Sequence, residues 1–135
     1  PGAGSPPEGG AYLASCGPLS GELGASASWS TRSAGTLQWM APEVMAGRTD
    51  YSLEVDVYAY GMLLYELTCF EPPFADVEHA EVARLVLEGA RPEIDEGAMP
   101  AALEKLTRAC WSQDPGMRPS FSFLAGALDA IWHSV

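Results

Sequence analysis

Side chains able to do nucleophilic, acid–base or metal chemistry are few in this chain and far apart. The two histidines, His79 and His133, have no nucleophile near them in sequence, and both read as surface residues. Cys16, Cys69 and Cys110 are odd in number and widely spaced, with no C-x-x-C pair and no Cys/His cluster. Neither a zinc site nor a disulfide framework is indicated, and reduced, mostly buried thiols are expected. Lys105 is the single lysine, so any step that needs a phosphate-binding lysine must use it or look outside the chain. Glycine is frequent, yet no G-x-G-x-x-G or Walker spacing occurs. Ser26, Ser28, Ser30, Thr31 and Ser33 form a hydroxyl-dense run just before the composition changes at Gly35. Asp56 is the anomalous carboxylate, because it lies in an apolar stretch where a buried charge needs partners. No catalytic residue and no metal ligand set emerges from these types and spacings.

The stretch that holds Asp56 is residues 52–68, S-L-E-V-D-V-Y-A-Y-G-M-L-L-Y-E-L-T. Ser52 is a good N-cap, Glu54 suits the first turn, and no proline interrupts the run. Apolar residues cover every face, which predicts a central helix buried in a core; its acids and its length exclude a membrane span. Around it the sequence predicts four shorter helices. Pro42 opens the first, with Glu43 in its first turn and Gly47 after its end. After Pro72-Pro73, residues 77–88 form another, with Val82, Leu85 and Val86 on one side and Glu78, Glu81, Arg84 and Glu88 on the other. Pro100 starts a third, with Leu103, Leu106 and Cys110 inward and Glu104 and Arg108 as an outward i,i+4 pair. Ser120 caps the last, whose stripe is Phe121, Leu124, Leu128 and Ile131. No convincing strand follows residue 36; Ala11-Tyr12-Leu13-Ala14 is a candidate strand before it. The expected fold class is mainly α.

At 135 residues one domain with a real core is expected. Residues 1–34, mostly Gly, Ala, Ser and Pro, read as a low-complexity loop or disorder. Residues 35–132 are globular, and 133–135 a tail. Eighteen acids against seven bases give a net charge of −11, which argues against nucleic acid or an anionic membrane as partner. With no signal or transmembrane segment and an opening residue other than Met, an intracellular, cytoplasmic fragment is expected.

Ordered motifs go further than composition. Gly35-Thr36-Leu37-Gln38-Trp39-Met40-Ala41-Pro42-Glu43 resembles the end of a protein-kinase activation segment, closing on A-P-E. Asp56-Val57-Tyr58-Ala59-Tyr60-Gly61 resembles the D-V-Y-S-F-G signature of that family's central helix, and Glu71-Pro72-Pro73-Phe74 the turn that follows. Cys110-Trp111-Ser112-Gln113-Asp114-Pro115 and Arg118-Pro119-Ser120-Phe121 resemble its C-W-x-x-D-P and R-P-S-F signatures. Residues 35–132 are therefore similar to the later half of the large, C-terminal lobe of a protein kinase. The wording is that of the tyrosine-kinase-like group, whose members are mostly serine/threonine kinases.

The resemblance implies roles. Glu43 would pair with Arg118, and Asp56 would hold the backbone of the catalytic loop. Being short of that loop, a buried Asp56 would have a raised pKa. Thr36 would contact the catalytic loop and, with Trp39 and Met40, line the pocket for the residue after the phosphoacceptor; for Trp39 and Met40, ordinary packing is the alternative. The hydroxyls at 26–33 stand where kinases accept activating phosphate, although Ser-rich loops are common.

An intact kinase would use ATP and Mg²⁺ on a protein substrate. Here no H-R-D occurs, and Ser15-Cys16-Gly17 is at best a degenerate D-F-G, with serine a poor Mg²⁺ ligand. The chain alone is expected to need no cofactor and to transfer no phosphate. The alternative is a degenerate kinase-like module that binds a regulatory protein through the helix at 77–88 and the acidic residues 88–96.

Overall fold

The computed structural model describes residues 37–135. The candidate strand at 11–14, Ser15-Cys16-Gly17, the hydroxyl run and Thr36 lie outside the described residues.

The described chain enters through a 3-10 turn, Leu37–Trp39, whose Leu37 is buried. Ala41 is extended (φ −66°, ψ 148°), the conformation a following proline imposes. Pro42 then opens a single-turn helix, α1, Pro42–Met45, where its missing N–H costs nothing. Gly47 takes a left-handed φ of 79° and turns the chain away.

The long helix, α2, spans Glu54–Cys69. It starts later than the expected cap at Ser52. The Ser52 hydroxyl bonds the Glu54 carboxylate instead of the backbone, and Leu53 occupies the cap position without a side-chain cap. The helix ends at Phe70, whose left-handed φ of 58° lets its N–H reach the Glu66 carbonyl at 3.0 Å.

Three further helices follow: α3, His79–Leu87; α4, Ala101–Cys110; and α5, Phe121–Ser134. A second 3-10 turn, Pro115–Met117, precedes α5, with the Asp114 carboxylate accepting from the Gly116 N–H at 2.9 Å. Among the described residues there is no strand, and the fold is the helical one expected. The Glu104–Arg108 pair closes at 2.8 Å on α4. Arg84 is flanked on α3 by Glu81 and, at 2.9 Å, by Glu88. Ser120 caps α5 by accepting from the Phe123 N–H at 3.1 Å. Residues 133 and 134, expected in a tail, continue α5.

Helix α2 lies at the centre, with α4 and both 3-10 turns against it. One core holds Tyr58, Met62 and Tyr65 of α2 with Leu37, Val82, Val86 and Trp111. A smaller one holds Val57, Leu106, Cys110 and Leu124. Where α2 and α4 cross, Gly61 brings the backbones together: a β-carbon there would stand 2.8 Å from Cys110 Cβ.

Three expectations are corrected. Helix α2 is not buried on every face: Asp56, Leu63 and Leu67, with Leu53 at its cap, are exposed on a side that no described element covers. Asp56 is consequently no buried carboxylate in need of partners. Phe121, expected on the apolar stripe of α5, is 43 % exposed and meets Tyr60 edge-on, with ring centroids 5.8 Å apart. His79, expected on the surface, is half-buried, and its Nε2 is enclosed without a hydrogen-bond partner.

Candidate functional site

The polar centre of the structure assembles around α1. Glu43 stands in the first turn of that helix and is 8 % exposed. Arg118 follows the second 3-10 turn in extended backbone (φ −77°, ψ 138°), which aims its side chain back across the core. The two meet as a fork on a fork: Arg118 Nη1 donates to Glu43 Oε1 at 2.6 Å and Nη2 donates to Oε2 at 2.9 Å. Nε donates to the Ser112 carbonyl at 2.9 Å, and Nη1 also reaches the Glu54 carbonyl at 2.9 Å. One guanidinium thereby joins α1, the start of α2 and the loop after α4.

Beneath the pair lies Tyr58 of α2, fully buried. The guanidinium carbons of Arg118 and Arg91 each stand 5.1 Å from its ring centroid, within cation–π range. Its hydroxyl is enclosed without a hydrogen-bond partner. Burial pushes that phenol up to about 12, against the opposing pull of Arg91 and Arg118. Arg91 donates from Nε to the Trp111 carbonyl at 2.8 Å and from Nη1 to the Ala90 carbonyl at 2.7 Å.

Sequence reasoning assigned nothing to Arg91 and gave Tyr58 only as a motif letter. A signal was present: Arg91 is one of seven basic residues in a strongly acidic chain and sits between Gly89 and Pro92.

Trp39 and Met40 emerge just before α1, each half-buried against the larger core. The Met40 N–H donates to the Leu37 carbonyl at 3.1 Å. Glu43 and Arg118 thus come together a few residues after Trp39 and Met40 in the chain. Asp56 stands apart from both, in solvent, near the start of α2.

Nothing in this arrangement is a nucleophile beside a base. Among the described residues no group of three or more His, Cys, Asp or Glu is placed to hold a metal ion. No helix among them is long and apolar enough to cross a membrane.

Comparison with known proteins settles what the scaffold belongs to. The model of the family described as protein tyrosine and serine/threonine kinase matches residues 22–128. The chain belongs to that family. It is 41 % identical over 102 residues to a probable serine/threonine-protein kinase of Dictyostelium discoideum, and the match takes in 75 % of this chain and 11 % of that protein. It is 39 % identical over 101 residues to the serine/threonine-protein kinase VIK of Arabidopsis thaliana, covering 75 % of this chain and 23 % of the relative. To the tyrosine-protein kinase ABL2 of Homo sapiens it is 37 % identical over 98 residues, covering 72 % of this chain and 8 % of the relative. The chain therefore spans less than a quarter of each of these relatives, and the kinase match is to part of the domain.

Intact kinases of this family imply ATP and Mg²⁺. The described residues do not fit that pair: Lys105 is exposed on the outside of α4, and the carboxylates form no ligating cluster. The kinase segment described is the helical part of the large lobe, built round α2 and pinned by the Glu43–Arg118 fork.

Proposed function

We propose that the chain is the substrate-side part of the large lobe of a serine/threonine kinase, and that its parent transfers phosphate from ATP to protein hydroxyls. The observation that carries this reading is the buried Glu43–Arg118 fork, which ties the segment at residues 37–45 to the late helices. Such a tie gives the half-buried turn before α1 a fixed height and angle, the requirement for presenting an acceptor hydroxyl to in-line transfer. Thr36, Trp39 and Met40 are assigned to that presenting surface, Asp56 to anchoring the catalytic loop, and Ser26, Ser28, Ser30, Thr31 and Ser33 to regulatory phosphorylation. The setting is intracellular and cytoplasmic, a reading supported by the unpaired thiols of Cys69 and Cys110.

By itself the chain binds no nucleotide in this reading. A calorimetric titration with Mg·ATP is expected to give no saturable heat, and clear saturation would overturn that part of the proposal. The parent's acceptor type is tested by phosphotransfer from the full-length gene product to matched serine, threonine and tyrosine peptides. Transfer to tyrosine alone would refute the serine/threonine assignment.

A second reading, a kinase-like module that works by binding another protein, draws on one observation. Residues 89, 91–96, 108 and 111 line an open groove of about 610 Å³, and Glu93, Asp95 and Glu96 are among them. A full-length product inactive on every acceptor would favour it.

A further inference from the structure

Arg91 lies in the loop between α3 and α4, outside every motif that marks the family here. Its guanidinium is desolvated by burial, which lowers its pKa, and it stands near the cation of Arg118. Two cations sharing one buried ring would repel, so something must hold the second in place. The acceptors are the carbonyls of Trp111, Ala90 and Val86 and the Gln113 side chain, at 2.8, 2.7, 3.3 and 2.5 Å. Gln113 in turn donates to the Leu87 carbonyl at 3.3 Å, so the end of α3 and the end of α4 meet at this arginine. The Tyr58 ring is then in contact both with that fixed point and with Arg118, which carries Glu43.

We propose that Arg91 is a positioning residue for the segment at residues 37–45, acting through the Tyr58 ring and Arg118 on Glu43. The contact chain is contiguous at every step: Arg91 is half-buried at its outer end, and Tyr58, Arg118 and Glu43 are buried. Only the description of that segment as substrate-facing rests on the kinase reading. The coupling itself is measurable without nucleotide or acceptor, so either idea can fail while the other stands.

Hydrogen–deuterium exchange on the 135-residue chain tests it. Arg91→Gln keeps hydrogen-bond donors but removes the cation. It is expected to speed exchange across residues 37–48 roughly tenfold, a factor between those of an exposed and a fully desolvated cation–π contact, as suits a half-buried arginine. Arg91→Lys, which keeps a cation for the ring, is expected to restore most of that protection. Tyr58→Phe keeps the ring and is expected to leave those residues unchanged. Faster exchange confined to residues 86–91 and 111–113 would overturn the proposal, as would equal effects of Gln and Lys. Should Arg91→Gln unfold the chain, the cycle of Arg91→Gln with Glu43→Gln, followed in a stabilising osmolyte such as sucrose, decides. A non-additive effect on residues 37–48 supports the coupling, and strict additivity refutes it.

Discussion

Arg118 holds Glu43 across 75 positions of chain through two parallel N–H···O bonds, with its side chain wholly out of solvent. Burial makes the pair asymmetric in its consequences. Two charges in place largely offset their own desolvation, whereas one charge left alone does not. Glu43→Ala is expected to cost about 3–5 kcal/mol, because it leaves the guanidinium buried without its anion. Urea unfolding monitored by tryptophan fluorescence checks this; an unchanged midpoint would mean that the fork contributes nothing. The surface pair Arg48–Asp50, at 2.8 Å and exposed on both sides, supplies the control. Its removal is expected to shift the midpoint little, since exposed pairs contribute about 0–1 kcal/mol.

Gly61 sets up a contest between two effects of opposite sign. Alanine is the better helix former by about 1 kcal/mol. Yet a β-carbon at this position would sit 2.8 Å from Cys110 Cβ and 3.3 Å from the Thr107 carbonyl oxygen. Overpacking of that kind costs about 1–3 kcal/mol. Gly61→Ala is therefore expected to lower the thermal midpoint. Since the clash is with the β-carbon of Cys110 itself, adding Cys110→Ala should not relieve it, while adding Cys110→Gly should recover part of the loss. A stabilised Gly61→Ala would show that the two helices can separate at no cost.

Asp56 shows which parts of the structure the sequence could and could not reveal. Helix α2, the Glu104–Arg108 pair and the Ser120 cap depend on neighbours within a few positions, and local spacing carries them. The Glu43–Arg118 contact was reached through resemblance, since nothing local points across 75 residues. Burial of α2 was inferred from apolar residues on all faces, but exposure is decided by which elements lie alongside. Leu63 and Leu67 are as apolar as Leu64, yet only Leu64 of the three is buried. The Tyr58–Arg91 contact had no local signature either, because it joins α2 to a loop some thirty residues on. For Asp56 the consequence is direct. As an exposed side chain with no ion pair among the described residues, its replacement in Asp56→Asn is expected to move stability by no more than about 0.5 kcal/mol. A large loss on chemical unfolding would mean that the carboxylate is enclosed after all.

Alkaline pH should loosen the structure through buried acids, the Tyr65 phenol among them, which burial and its hydrogen bond to Glu71 push up. Burial raises the Tyr58 phenol from 10.0 to about 12 and the Cys110 thiol from 9.0 to about 11. In each case the folded state keeps a proton that the unfolded chain gives up sooner. Nothing is lost below the unfolded values. As pH climbs from 9 the unfolded thiol ionises first, followed by the unfolded phenol near 10, and each ionisation favours unfolding. The loss is complete only when the folded groups ionise too, near 11 for Cys110 and about 12 for Tyr58. Each contributes up to about 3 kcal/mol of that decline. Unfolding midpoints measured between pH 7 and about 11.5 should fall steadily above 9, and Tyr58→Phe should flatten the upper part of the curve. The same substitution should be near neutral at pH 7, because it removes a buried hydroxyl that has no partner. A Tyr58→Phe curve that runs parallel to the parent through the whole range would rule out Tyr58 as the source of the alkaline loss.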